Sequence, residues 1–122
     1  MSQLPILTEI KDRNHFTELL IQNPGLLIIK FGAEWCGPCK KIERLVKEWF
    51  DRTNHKVQCA VIDVDESFDV YAFLKSKKMV HGIPAILCYE NNNHTYIPND
   101  IVIGADVAQI NAFFTRNLPK VM

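Results

Sequence analysis

Leu26-Leu27-Ile28-Ile29-Lys30-Phe31 is a short apolar run broken by a single lysine; after Gly32-Ala33-Glu34 comes Trp35-Cys36-Gly37-Pro38-Cys39, and Lys40 to Phe50 then repeats apolar residues at helical spacing. A strand therefore ends at the cysteine pair and a helix begins there. That placement suits thiol chemistry. The attacking species in disulfide exchange is the thiolate, and the unpaired N–H groups and positive dipole end of a helix start stabilise a negative sulfur. Two intervening residues let one turn bring both sulfurs into bonding range, with Cys36 at the exposed lip and Cys39 one turn inside. In that geometry Cys36 attacks and Cys39 resolves.

Other uses of the pair fit less well. A zinc site needs two further ligands at suitable spacing, and Cys59 and Cys88 stand alone in apolar, strand-like stretches without a second CxxC or an HxxxH. No metal is expected. A structural disulfide across so short a loop would constrain the unfolded chain little, because that benefit grows with loop length. Dithiol redox chemistry remains, and it needs no bound cofactor.

The 122 residues are enough for one domain, 1–122, with a core that needs no disulfide staples. With 48% hydrophobic and 23% charged residues the composition is that of an ordinary globular chain. Fourteen basic and fourteen acidic side chains balance, so neither nucleic acid nor a membrane surface is an expected partner. Met1 to Glu9 holds no basic region followed by a long apolar stretch, and no segment approaches the ~20 apolar residues that cross a bilayer. A reducing, cytoplasmic setting and a monomer are expected, with Cys59 and Cys88 as buried, inert thiols.

In chain order, Pro5 to Ile10 reads as an edge strand, and Asp12 or Asn14 can cap a helix carrying Phe16, Leu19, Leu20 and Ile21. Leu26 to Phe31 is too apolar to have a wet face, as expected at the middle of a sheet covered on both sides. Ile42, Leu45, Val46, Trp49 and Phe50 give the next helix its buried stripe. Val57 to Val64 is a further strand, flanked at its end by Asp63 and Asp65. Ser67 can cap a helix with Val70, Tyr71, Phe73 and Leu74. Ala85 to Tyr89 and Thr95 to Ile103 make a hairpin whose second strand is interrupted by Pro98. Ala105 to Phe114 closes as a helix with Val107, Ile110, Phe113 and Phe114 inward. Alternating strands and helices followed by a hairpin and a last helix read as α/β with a mixed central sheet between helix layers.

Ala33-Glu34-Trp35-Cys36-Gly37-Pro38-Cys39-Lys40 resembles the active-site signature of the thioredoxin family almost letter for letter. Gly82-Ile83-Pro84 is similar to the family's cis-proline loop, and Gly104 to the glycine that lines its substrate groove. The similarity extends from about Leu4 to Leu118. It implies a thioredoxin fold, with a mixed five-stranded sheet flanked by about four helices, and a cis Ile83–Pro84 bond facing the cysteines. It also implies that Trp35, Gly37, Pro38, Ile83, Pro84 and Gly104 bind disulfide-containing protein substrates, and that a thioredoxin reductase or another thiol donor supplies electrons. His81, just before the cis-proline loop, is either a surface residue or a group that tunes pH dependence.

The departures from the family are as informative. Lys30 stands where thioredoxins typically carry a buried aspartate behind the cysteines, which makes it the third candidate catalytic residue. At ~6 Å and an effective dielectric near 20, a charged Lys30 would act on a thiolate with about 3 kcal/mol, favouring the ionised pair and a more oxidising disulfide. If burial neutralises the amine, Lys30 can instead serve as general base for Cys39. A third reading lets it snorkel outward or pair with Glu34 or another carboxylate. Gly32 replaces the usual aromatic, and Arg44 the usual kinking proline, so a straighter helix is expected. Glu90 to Asn99 is longer and more polar than the usual hairpin. Besides a disulfide reductase, two alternatives fit the chain: an oxidase- or isomerase-leaning relative tuned by Lys30, and a redox-independent partner-binding subunit.

Overall fold

A computed structural model describes residues 3–122. Leu26–Gly32 forms β1, and every residue from Leu26 to Phe31 is buried. Such a strand has no face to give to water, so it lies inside the sheet with neighbours on both edges. Val57–Asp63 (β2) pairs parallel to it, and Ala85–Glu90 (β3) pairs antiparallel on the other side. Asp100–Ile103 (β4) closes the hairpin with β3, giving the order β2-β1-β3-β4.

The two faces of this mixed sheet carry separate apolar clusters. On one, Phe16 and Leu20 of α1 (Arg13–Ile21) and Val70 and Leu74 of α4 (Phe68–Ser76) meet Leu27, Ile29 and Phe31. On the other, Val46 and Phe50 of α3 (Glu43–Asp51) and Ile110, Phe113 and Phe114 of α5 (Val107–Asn117) cover Leu26 and Ile28. Period-two alternation along β1 thus feeds both layers. Trp49 stacks on Phe114 with ring centres 5.2 Å apart and binds Asn111 through Nε1, tying α3 to α5.

The thioredoxin-like architecture expected from the sequence is present, with several local differences. The fifth strand is reduced to one bridge, Leu7 to Ala60, whose bonds run from Leu7 N to Cys59 O and from Val61 N to Leu7 O. Pro5 has no N–H to donate, and Ile10 N turns away to Ser67 Oγ. Ser67 is therefore the N-terminal flank of α4 without capping it through its side chain. Asp12 does cap α1, accepting from His15 N at 2.8 Å.

Strand β4 begins only at Asp100 because the asparagines before it satisfy the backbone locally. Asn93 Oδ1 accepts from Thr95 N, and Asn99 Oδ1 accepts from Glu90 N. Ile21 and Val107, expected inward, are 61% and 53% exposed.

The helix after the cysteines is not straightened by the absence of proline. It breaks at Ile42 (φ −106°, ψ 2°) into α2 (Gly37–Lys41) and α3. Ile42 itself is buried in the cluster under α3. A core contact at the break thus holds the bend that a proline would otherwise impose.

Candidate active site

Cys36 is the N-terminal flank of α2, and its sulfur is bonded to that of Cys39, with Cα atoms 5.3 Å apart. Gly37 and Pro38 occupy the first turn, where a proline loses no helical hydrogen bond. Cys39 N donates to Cys36 Sγ at 3.2 Å, so one orphan donor of the helix start is aimed at the sulfur. Because α2 has only five residues, this local N–H contact rather than a long helix dipole is the main backbone influence there. Cys36 does not stand out at an exposed lip: with its sulfur bonded inward it is 5% exposed, against 4% for Cys39.

Trp35, by contrast, is 70% exposed. Its indole Nε1 donates to Asp65 Oδ2 at 2.8 Å, which fixes the ring beside the disulfide. Asp65 is visible in the sequence only as one of two acids at the end of a strand; its role depends on a partner thirty positions away. The Ile83–Pro84 bond is cis. Pro84 O accepts from Gly104 N at 2.8 Å, and Gly104 has φ +99°, a conformation that favours glycine. Ile83 precedes β3 and, among the described residues, makes no backbone hydrogen bond. Its N–H and C=O are thus available to an extended chain.

Lys30 lies on β1 between Val61 and Ile86 and is 95% buried, since only 5% of it is exposed. It does not pair with Glu34: among the described residues it has no ion pair and no hydrogen bond, and the amine at the end of its buried stem keeps contact with solvent. Burial lowers its pKa, with the nearby charge of Glu43 opposing that shift. Lys30 and Cys39 both line a cavity of about 280 Å³ together with Gly32 and Glu43. Cys59 and Cys88 are free thiols sealed in the sheet, both pushed up to about 12, chiefly by burial. His81 is exposed and lies outside that cavity lining.

A paired CxxC at a strand-to-helix junction, with a cis-proline bond entering β3 beside the end of β1 on a mixed sheet, defines a dithiol–disulfide exchange protein. The thioredoxin family model matches residues 7–116, and the chain belongs to that family. Thioredoxin-1 of Schizosaccharomyces pombe is 26% identical over 113 residues, 93% of this chain and 100% of that protein. Thioredoxin 1 of Plasmodium falciparum is 31% identical over 97 residues, 80% of this chain and 84% of that protein. Among solved structures, the thioredoxin of Malassezia sympodialis superposes with a TM-score of 0.70 at 25% identity, covering 93% of this chain and 95% of the other. With the Cys36–Cys39 pair in place, the chain is a thiol–disulfide oxidoreductase acting on protein disulfides.

Proposed function

We propose that Cys36 is the attacking and Cys39 the resolving thiol, working in a single domain that acts as a monomer. The observation that carries this division of labour is the Cys39 N–H aimed at Cys36 Sγ, a donor that stabilises negative charge on Cys36 more than on Cys39. With the pair reduced, the Cys36 thiolate attacks one sulfur of a client disulfide. A mixed disulfide forms and the other client sulfur leaves with the electron pair. The Cys39 thiolate then attacks Cys36 Sγ, the bond to the client breaks, and the Cys36–Cys39 disulfide closes; two electrons have passed to the client. The free N–H and C=O of Ile83 would pair with the extended client segment, while the exposed Trp35, Gly37 and Pro38 and the half-buried Gly104 shape its docking surface over the buried Pro84.

Lys30 takes part as the base for Cys39. Its place in the cavity shared with Cys39 and the downward direction of its pKa shift, caused by burial, support a part in accepting the thiol proton. Electrons come from a thioredoxin reductase or another thiol donor, and a reducing cytoplasm is the setting in which the two remaining thiols stay free.

The test is reductant-driven insulin precipitation by the wild-type protein and by Cys36→Ser, run with alternative electron donors. Turnover by wild type and none by Cys36→Ser is the expected result. Equal activity of the two would contradict the assignment.

A further inference from the structure

A second cavity, of about 360 Å³, lies between α1, α4 and the stretch that follows β3, and it shares no lining residue with the one beside Cys39. It owes its shape to the asparagine-rich segment from Glu90 to Asn99, which disulfide exchange does not use. That segment is held by its own side chains. Asn93 Oδ1 accepts from Thr95 N, Asn93 Nδ2 donates to Ile97 O at 2.7 Å, and Tyr89 Oη of β3 donates to Tyr96 O at 2.8 Å. Tyr96 is thereby set edge-on against Phe73 of α4, with ring centres 5.4 Å apart at 79°. The hollow is preformed, as sites for small ligands usually are.

Its lining has an apolar part and a cationic part. Phe16 and Leu20 of α1 are buried and close the inner end, while the half-buried rings of Phe73 and Tyr96 form walls. Arg13 and His94 are exposed at the rim, and no carboxylate lines the cavity. The Arg13 guanidinium lies 5.4 Å from the centre of the Phe73 ring, with Nε 3.4 Å from Asp69 Oδ2. Asp69 also accepts from Arg13 N at 3.0 Å, so this carboxylate holds the arginine in place. The guanidinium itself donates no hydrogen bond among the described residues, which leaves its planar fork of N–H groups for another acceptor. Lys77 Nζ sits 5.8 Å from the centres of both the Phe73 and Tyr96 rings and has no ion pair among the described residues. Two cations thus stand at an aromatic hollow against one carboxylate.

We propose that this hollow is a binding site for a small aryl carboxylate, a flat apolar ring on a short chain that ends in a carboxylate. A hole of ~150 Å³ accepts a benzene ring, so this cavity takes the ring and a short chain together. The ring packs on Phe16 and Leu20 and meets Phe73 and Tyr96, removing apolar surface from water. The carboxylate takes the free N–H groups of Arg13 in a two-bond geometry that a lysine cannot offer, with Lys77 adding charge. An amine is repelled by both cations, and a neutral amide leaves Arg13 without a charged acceptor. Neither cysteine of the reactive pair, nor Trp35, nor the Ile83–Pro84 bond reaches the cavity, so the site stands apart from client docking.

The test is a titration of the isotope-labelled, oxidised full chain with hydrocinnamate, a benzene ring on a two-carbon chain bearing a carboxylate, followed by backbone amide shifts in NMR. Saturable shifts confined to α1, the second half of α4 and residues 93–97 are expected, with a Kd of about 1 mM or below. Hydrocinnamamide and phenethylamine should each bind the wild-type protein at least about tenfold more weakly, because neither supplies the anion. Arg13→Met should weaken hydrocinnamate binding by about tenfold, the loss of a charge-assisted pair. Lys77→Met, which removes an unbonded charge, should weaken it by about threefold. Thr17→Phe puts a ring into the cavity from an exposed position and should abolish the saturable shifts. Insulin precipitation by all three variants should stay within about twofold of wild type, as expected of exposed positions away from the disulfide.

Equal affinity for the amide and the acid, or for the acid in wild type and Arg13→Met, would overturn the assignment of an anion. Shifts that persist in Thr17→Phe, or that gather around Trp35 and Pro84, would put the ligand outside this cavity. Absence of saturable shifts up to about 10 mM would remove the site altogether.

Discussion

Cys36 and Cys39 are 5% and 4% exposed, and Cys59 and Cys88 are 2% and 0% exposed, so burial alone separates the two pairs hardly at all. What differs is the backbone and what it offers a sulfur. Cys36 sits where a strand gives way to a helix, and the N–H of Cys39 points at it. Cys59 and Cys88 lie in mid-strand, away from any helix start. Cys59 finds only Thr53 Oγ1 at 3.7 Å, a contact that softens but does not undo the effect of burial. The proposed division of labour thus places thiol reactivity at the junction between elements.

Exchanging the nucleophile breaks the contrast most severely. Cys36→Ser should reduce disulfide turnover to the uncatalysed background, whereas Cys59→Ala and Cys88→Ala should keep turnover within about twofold of wild type. Comparable losses in the strand variants would mean that those thiols take part in exchange.

Next in size is the frame around the reactive pair. Asp65→Ala removes the only side-chain hydrogen bond holding the Trp35 indole among the described residues. KM for a protein client should rise about three- to tenfold with little change in the rate of small-disulfide reduction, because docking rather than chemistry is disturbed. A change in kcat alone would point elsewhere.

Lys30 sharpens the comparison through stability. Its pKa is lowered from 10.5 in the folded protein by burial, with Glu43 opposing, so the unfolded chain binds more protons in the window below 10.5. Stability must therefore rise with pH through that window. Lys30→Met should be more stable than wild type to urea at neutral pH, with the gain shrinking as pH approaches 10.5. A pH-independent difference would show that the lysine's charge is not the cause.

The smallest effect lies beside Cys88. Burial alone would raise the pKa of Asp100, but bonds from Arg116, Asn117 and the Ile101 N–H outweigh it and hold the carboxyl below its usual range. Its contribution is present above the unfolded pKa near 3.9 and is lost as pH falls through the lower folded value. Asp100→Asn should lose stability at neutral pH, and the gap from wild type should close in acid.

Much of this was legible in the chain because the signals were local. The apolar run Leu26 to Phe31 is buried as its composition requires, and the cysteine spacing places both sulfurs in one turn. The misses have non-local causes. The bend at Ile42 is held by tertiary packing, so the identity of residue 44 says nothing about it. The first strand shrinks to a bridge because Ile10 N finds Ser67 Oγ fifty-seven positions away. Asp65 gains its role only once Trp35 is placed against it.

Iodoacetamide labelling of the fully reduced protein as a function of pH, read site by site by mass spectrometry, tests the role of the junction most directly. Thiols held near 12 are ionised to only about 10⁻⁵ at pH 7, against roughly 3% for an ordinary thiol near 8.5, so Cys59 and Cys88 should stay unlabelled in the native state. Cys36 should react first, with a midpoint below 8.5. A Cys36 midpoint at or above that of a free cysteine, or labelling that begins at Cys59 or Cys88, would show that the strand-to-helix junction does not activate the sulfur.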